Sequence, residues 1–261
     1  MKVMLLCGGM GTRLRELTEV RPKPMVEVGG RPILWHIMKL YAHHGMNEFI
    51  LCLGYKGAMI KEYFLNYETM NSDFSVKLGS KSDIVFHDQN HAEIGWTVTL
   101  ADTGEKTMTG GRIARAARYL DGSTTFAVTY GDGVTDVDLT AALAFHRQMG
   151  RLATLLGVRP PSRFGELVAG EGLVRTFNEK PQVTGGLING GFFFFEPDFL
   201  RYVADDENCV LEQLPLQRCA ADGQLSVYRH DGYWQCMDTL RDWESLQAQW
   251  ESGRAPWRAW T

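Results

Sequence analysis

The chain has 261 residues, 44% of them hydrophobic, and a formal net charge of −4. That length and apolar content suit one large α/β domain or two small ones around a sizeable core. Such a charge balance argues against nucleic acid or a membrane surface as the main partner, and no apolar run approaches the roughly 20 residues needed to cross a bilayer.

Lys2-Val3-Met4-Leu5-Leu6-Cys7 is a short apolar run that predicts a buried strand. Glycines and charges follow it instead of a cleavage site, so it does not read as a signal peptide. The run empties into Gly8-Gly9-Met10-Gly11-Thr12-Arg13-Leu14, whose three glycines let backbone N–H groups turn together toward an anion. Arg13 adds a forked cation and Lys23, in Arg21-Pro22-Lys23-Pro24-Met25, a compact one. That is the charge of a nucleoside triphosphate site. A dinucleotide fingerprint would need a third glycine where Leu14 stands, and an ATPase-type loop would need a Lys-Ser or Lys-Thr pair that is missing.

Pro32 opens a predicted helix through Trp35, Ile37, Met38 and Tyr41, ending near Gly45. Residues 49–53 predict a second strand, Gly54-Tyr55-Lys56-Gly57 the loop after it, and residues 58–66 a helix. Residues 68–106 have mixed polarity, with strand-like pieces at 84–87 and 96–101, and read as an excursion from the sheet edge. Then come a helix over 111–120, a strand over 125–130 ending at Gly131-Asp132-Gly133, a helix over 138–149 and a strand over 154–158. Phe192-Phe193-Phe194-Phe195 predicts a strand buried on both faces. Trp243 and Trp250 share a face of a C-terminal helix; with Trp257 and Trp260 they serve either the chain's own core or a subunit interface.

This alternation predicts an α/β, Rossmann-like, doubly wound fold. Its sheet is mixed but mostly parallel, with helices on both faces, a small β excursion, and ligands beyond the carboxyl ends of the strands. Asp132, held between two glycines at such an end, has a carboxylate suited to Mg²⁺. The five cysteines are scattered and lack a C-x-x-C pair, which predicts reduced thiols and a cytoplasmic protein. The seven histidines show no metal-ligand spacing, and adjacent His43 and His44 point to different sides of a helix.

The pattern G-G-x-G-T-R-L followed by P-K-P-M resembles the signature of the sugar-1-phosphate nucleotidyltransferases. Within that family the chain is similar to the glucose-1-phosphate cytidylyltransferase branch. The similarity runs through Pro32 to Met38, Gly54 to Gly57, Asp102-Thr103-Gly104 and Met108-Thr109-Gly110-Gly111-Arg112. It continues through Tyr130 to Gly133, Ile188-Asn189-Gly190-Gly191-Phe192 and Met237-Asp238-Thr239, and is weakest between Gln89 and Ile94.

The resemblance implies one domain over residues 1–261. Its nucleotide half covers about 1–135, its sugar-phosphate half about 136–240, and a C-terminal helix and tail about 239–261. It implies that Gly8, Gly9, Met10, Gly11 and Thr12 wrap a triphosphate, that Arg13 holds the departing pyrophosphate, and that Lys23 steadies the α-phosphate. Thr107 and Arg112 would contact the nucleotide, with Gly131 against it, and Asp132 and Asp238 would share Mg²⁺. Glu179 and Lys180 would meet the sugar phosphate, with Asn189 and Gly190 near the hexose hydroxyls. Arg13, Lys23 and Lys180 would be the catalytic cations. The implied substrates are CTP and α-D-glucose 1-phosphate, and the implied assembly is a homo-oligomer. The residues by themselves leave open UTP or dTTP, another phosphorylated acceptor, and a subunit that binds nucleotide without turnover.

Overall fold

The computed structural model describes residues 1–261 except 10, 12–13, 80–82, 88–90, 160–165, 171–172, 179–185 and 261. Seven strands form its main sheet: β1 (Lys2–Cys7), β2 (Glu48–Leu53), β3 (Thr97–Asp102), β4 (Phe126–Tyr130), β5 (Ala153–Val158), β6 (Ile188–Phe195) and β7 (Leu225–His230). Their order is β7-β5-β6-β4-β1-β2-β3. β6 runs antiparallel to both neighbours, and the other pairings are parallel.

Strand periodicity divides the core in two. Val3, Leu5 and Cys7 of β1 face one apolar cluster, which takes in Leu34, Ile37 and Met38 from the Ile33–His43 helix and Leu246 from the Leu240–Glu251 helix. Met4 and Leu6 face the other, with Ile113 and Ala116 of the Thr109–Ala116 helix and Leu216 of the Leu214–Ala221 helix. Side chains alternate across a strand, so a central strand covered on both faces must be apolar throughout. The four phenylalanines of β6 obey the same rule: Phe192 and Phe194 enter the first cluster, Phe193 and Phe195 the second.

Residues 96–101 do not belong to an excursion. Thr97–Asp102 is the edge strand of the main sheet, parallel to β2 with Leu51 opposite Leu100. As an edge strand, with only Ala101 fully buried, it lacks the unbroken apolar run that marks the central strands. The excursion proper is the two-stranded hairpin Phe74–Val76 and Ile84–Phe86, paired apart from the main sheet. The helix expected over 111–120 starts earlier, at Thr109, and ends in a 3₁₀ turn over Ala117–Tyr119.

The C-terminal tryptophans pack on the chain's own core. Trp257 is 1% exposed, and Trp250 and Trp257 stand edge-on to the buried His36 ring with centroids 4.6 and 6.1 Å away. Trp243 Nε1 donates to the Glu27 carbonyl at 2.8 Å.

Candidate active site

The parallel strands β1, β2, β3 and β4 all end on one rim of the sheet, and a cavity of about 420 Å³ opens there. Its walls are Gly8, Gly9 and Gly11 after β1, Lys23 and Pro24, the 105–109 segment, Arg112, and Tyr130, Gly131 and Asp132 at the end of β4. Of the residues assigned to the nucleotide, Gly8, Gly9, Gly11, Lys23, Thr107, Arg112 and Gly131 therefore line one pocket. Met10, Thr12 and Arg13 lie outside the described residues, as do Glu179 and Lys180.

Arg112 is 4% exposed and knots three strand ends together. Its Nη1 donates to the Leu53 carbonyl at 2.9 Å, Thr103 Oγ1 at 2.9 Å and the Gly104 carbonyl at 2.8 Å. Its Nη2 donates to the carbonyls of Gly8 at 3.0 Å and Glu105 at 3.2 Å. An arginine fork is suited to crossing several acceptors in fixed geometry. The guanidinium borders the pocket, but its two terminal nitrogens already hold the floor on which a phosphate would rest. Gly8 is required here on steric grounds: a Cβ on it would sit 2.0 Å from Arg112 Cζ. Thr107, also buried, accepts from Arg115 Nη1 at 2.7 Å through its Oγ1.

Lys23 and the two aspartates converge at the pocket's edge. Lys23 Nζ is 2.6 Å from Asp132 Oδ2 and 2.5 Å from Asp238 Oδ1. Burial pulls the ammonium down, but the two carboxylates more than offset this and hold it above its ordinary value. A second small ladder positions Asp238. Trp234–Cys236 pairs antiparallel with Gly133–Thr135, and Met237 N donates to the Asp132 carbonyl at 2.9 Å. A capping box then locks the following helix: Asp242 Oδ2 accepts from Thr239 N at 2.8 Å and also from Asp238 N at 3.1 Å. The ladder joins residues far apart in the chain, so local pattern gave no sign of it.

Two carboxylate oxygens aimed at one point form a hard, anionic donor pair. That fits Mg²⁺, which takes one or two protein carboxylates and completes its shell with phosphate and water. The nearby Cys236 thiol, 3.8 Å from Asp238 Oδ2, is pushed up to about 12 by burial and then by the aspartates, so it stays a neutral thiol. Among the described residues no group of three or more His, Cys, Asp or Glu side chains converges on a metal position.

On the other side of β4, Asn189 Oδ1 accepts from Gly191 N at 2.8 Å, and Trp234 Nε1 donates to the Gly190 carbonyl at 2.7 Å. Asn189 Nδ2 donates to the Tyr130 hydroxyl at 3.2 Å, which connects this pair to the pocket wall. Glu105 and Lys106, which fall between the Asp102–Gly104 and Met108–Arg112 blocks, also line the pocket, as does Met108.

The chain matches the family described as Nucleotidyl transferase over residues 2–249. It belongs to that family. This nucleotidyltransferase is 49% identical over 260 residues, covering all of both chains, to a protein of Salmonella typhimurium named glucose-1-phosphate cytidylyltransferase. It is 30% identical over 250 residues to the mannose-1-phosphate guanylyltransferase catalytic subunit beta of Dictyostelium discoideum, covering 94% of this chain and 63% of that one. The crystal structure of HddC from Yersinia pseudotuberculosis complexed with GMP-PN shares the fold, with a TM-score of 0.67 at 21% identity, covering 95% of this chain and 99% of that one. No helix among the described residues is long and apolar enough to cross a membrane.

Proposed function

We propose that this nucleotidyltransferase transfers the cytidylyl group of CTP to α-D-glucose 1-phosphate, releasing pyrophosphate and forming CDP-glucose. The observation that carries the chemistry is the convergence of Lys23, Asp132 and Asp238 at the edge of a cavity walled by the glycine loop. The choice of CTP and glucose 1-phosphate is supported by the full-length similarity to the Salmonella typhimurium protein of that name.

A phosphate monoester dianion is already a competent nucleophile, so the sugar-phosphate oxygen attacks the α-phosphorus in line and pyrophosphate leaves on the opposite side. The main obstacle is bringing two anions together, and catalysis here is positioning plus charge stabilisation. Gly8, Gly9 and Gly11 present backbone to the triphosphate; Arg112 keeps that backbone in place. Asp132 and Asp238 would hold Mg²⁺, which supplies charge neutralisation at the α-phosphate. Lys23, at the same edge of the pocket, would steady the α-phosphate. Arg13 takes the pyrophosphate, Lys180 and Glu179 the sugar phosphate, and Asn189 and Gly190 the hexose.

The enzyme works in the cytoplasm as a homo-oligomer in this reading. Its cysteines are all free thiols, and the 74–86 hairpin exposes Phe74, Val76, Ile84 and Val85, apolar surface suited to a second copy. A pyrophosphate-release assay across CTP, UTP, dTTP, ATP and GTP with several sugar 1-phosphates tests the function. CTP with glucose 1-phosphate should be the preferred pair, and equal rates with UTP or dTTP would reject the cytidylyl assignment.

A further inference from the structure

Tyr130 closes β4 directly ahead of Gly131 and Asp132, and its ring lines the nucleotide pocket. Its hydroxyl donates to Glu212 Oε1 and accepts from Asn189 Nδ2 at 3.2 Å. The other Glu212 oxygen accepts from Thr109 Oγ1 at 2.7 Å, while Thr109 Oγ1 itself accepts from Leu211 N at 2.9 Å. One carboxylate therefore gathers two hydroxyl protons, one from each wall of the cleft.

The chain of bonds can run in only one sense. An ionised carboxylate accepts and never donates, so the single Tyr130 proton is committed to Glu212. Only lone pairs of the phenol then remain, and only a donor can approach them. Asn189 must present its NH₂ group to Tyr130, which turns its Oδ1 toward the Gly191 N–H, 2.8 Å away. Among the described residues, one amide N–H and one carbonyl lone pair of Asn189 are left over for a ligand. The ring cannot drift: Gly191, at φ +78°, lays bare backbone against it, and a Cβ there would meet Tyr130 Cδ2 at 2.4 Å.

We propose that Tyr130 and Glu212 are positioning residues that fix which face of the Asn189 amide meets the hydroxyls of the acceptor sugar. The proposal rests on the reading that Asn189 and Gly190 border the hexose. It makes Glu212, which no local motif singles out, part of acceptor recognition through two intermediaries.

Steady-state kinetics of Tyr130→Phe test it. The phenylalanine keeps the ring on the nucleotide wall and removes the oxygen that accepts from Asn189 Nδ2. The KM for glucose 1-phosphate should rise about five- to tenfold, the size of one lost hydrogen bond, while the KM for CTP stays within about twofold. Because Tyr130 acts through Asn189, the Tyr130→Phe/Asn189→Ala double variant should match Asn189→Ala alone. Glu212→Gln gives a second route: its amide can donate to the Tyr130 oxygen and reverse the chain, so the sugar-phosphate KM should rise by a similar factor. An unchanged sugar-phosphate KM in both single variants, or multiplicative losses in the double variant, would overturn the positioning role in an enzyme that turns these substrates over. A wild-type protein that releases no pyrophosphate from CTP and glucose 1-phosphate would overturn the underlying reading and this inference with it.

Discussion

Lys23 Nζ lies 2.6 Å from Asp132 Oδ2 across 109 residues of sequence, and it makes the same contact at 2.5 Å with Asp238. The ammonium sits where the two carboxylates would otherwise repel each other. A half-buried cation between two anions is an arrangement in which removing one partner is costly, because the others are left less compensated.

Asp132→Asn and Asp238→Asn should each lower kcat by about 10²–10³-fold, the scale of losing one preorganised charge contact. The double variant should lose much less than the product of the single effects, because both carboxylates act on the same charges. Adding a chelator should abolish turnover and Mg²⁺ should restore it. Multiplicative losses would show that the two aspartates work independently.

Lys23→Ala should cost mainly kcat, on the order of 10²–10³-fold, since the ammonium acts where transition-state charge develops. Lys23→Arg should recover little, because a planar fork does not replace a compact ammonium between two phosphates. Lys180→Ala should instead raise the KM for glucose 1-phosphate, as expected for a cation that already holds the ground-state sugar phosphate. If it raised the KM for CTP and left the sugar phosphate untouched, the acceptor assignment would be wrong.

Arg112→Ala should destabilise the fold by about 3 kcal/mol or more, since a buried guanidinium's hydrogen bonds to the Leu53, Gly8, Gly104 and Glu105 carbonyls and to Thr103 Oγ1 would all be lost. Denaturant titration checks this. Gly8→Ala should be damaging in the same way, as its Cβ would displace the guanidinium, whereas Gly9→Ala has open space and should fold normally.

His36, enclosed by tryptophans, is lowered to about 4 by burial, which outweighs the opposing pull of the Val28 carbonyl, 2.8 Å from Nε2. A folded-state value below the unfolded one means that the unfolded chain binds the proton first. Stability from this group is therefore complete above about pH 6.5 and falls as the pH drops toward 4, by on the order of 3 kcal/mol. Urea unfolding at stepped pH should show this slope, and His36→Gln should flatten it.

The sheet was largely legible because apolar runs such as Val3 to Cys7 and Phe192 to Phe195 carry their burial in their own composition. Thr97–Asp102 was misread because an edge strand needs no such run. The glycine loop and Asp132 were visible for a similar local reason: phosphate-binding backbone demands glycine, and a strand-end carboxylate between glycines stands out.

What the sequence determined by itself was therefore whatever is written in neighbouring residues: the strand and helix periods, the anion-binding turn, the family signature. Tertiary structure alone decided the rest. It placed Asp238 beside Asp132 through the Gly133–Thr135 ladder, turned Arg112 into the brace beneath Gly8, and joined Glu212 to Asn189 through Tyr130. Each of these depends on a hydrogen-bond partner 50 or more residues away, and local pattern carries no trace of a contact that only chain closure creates.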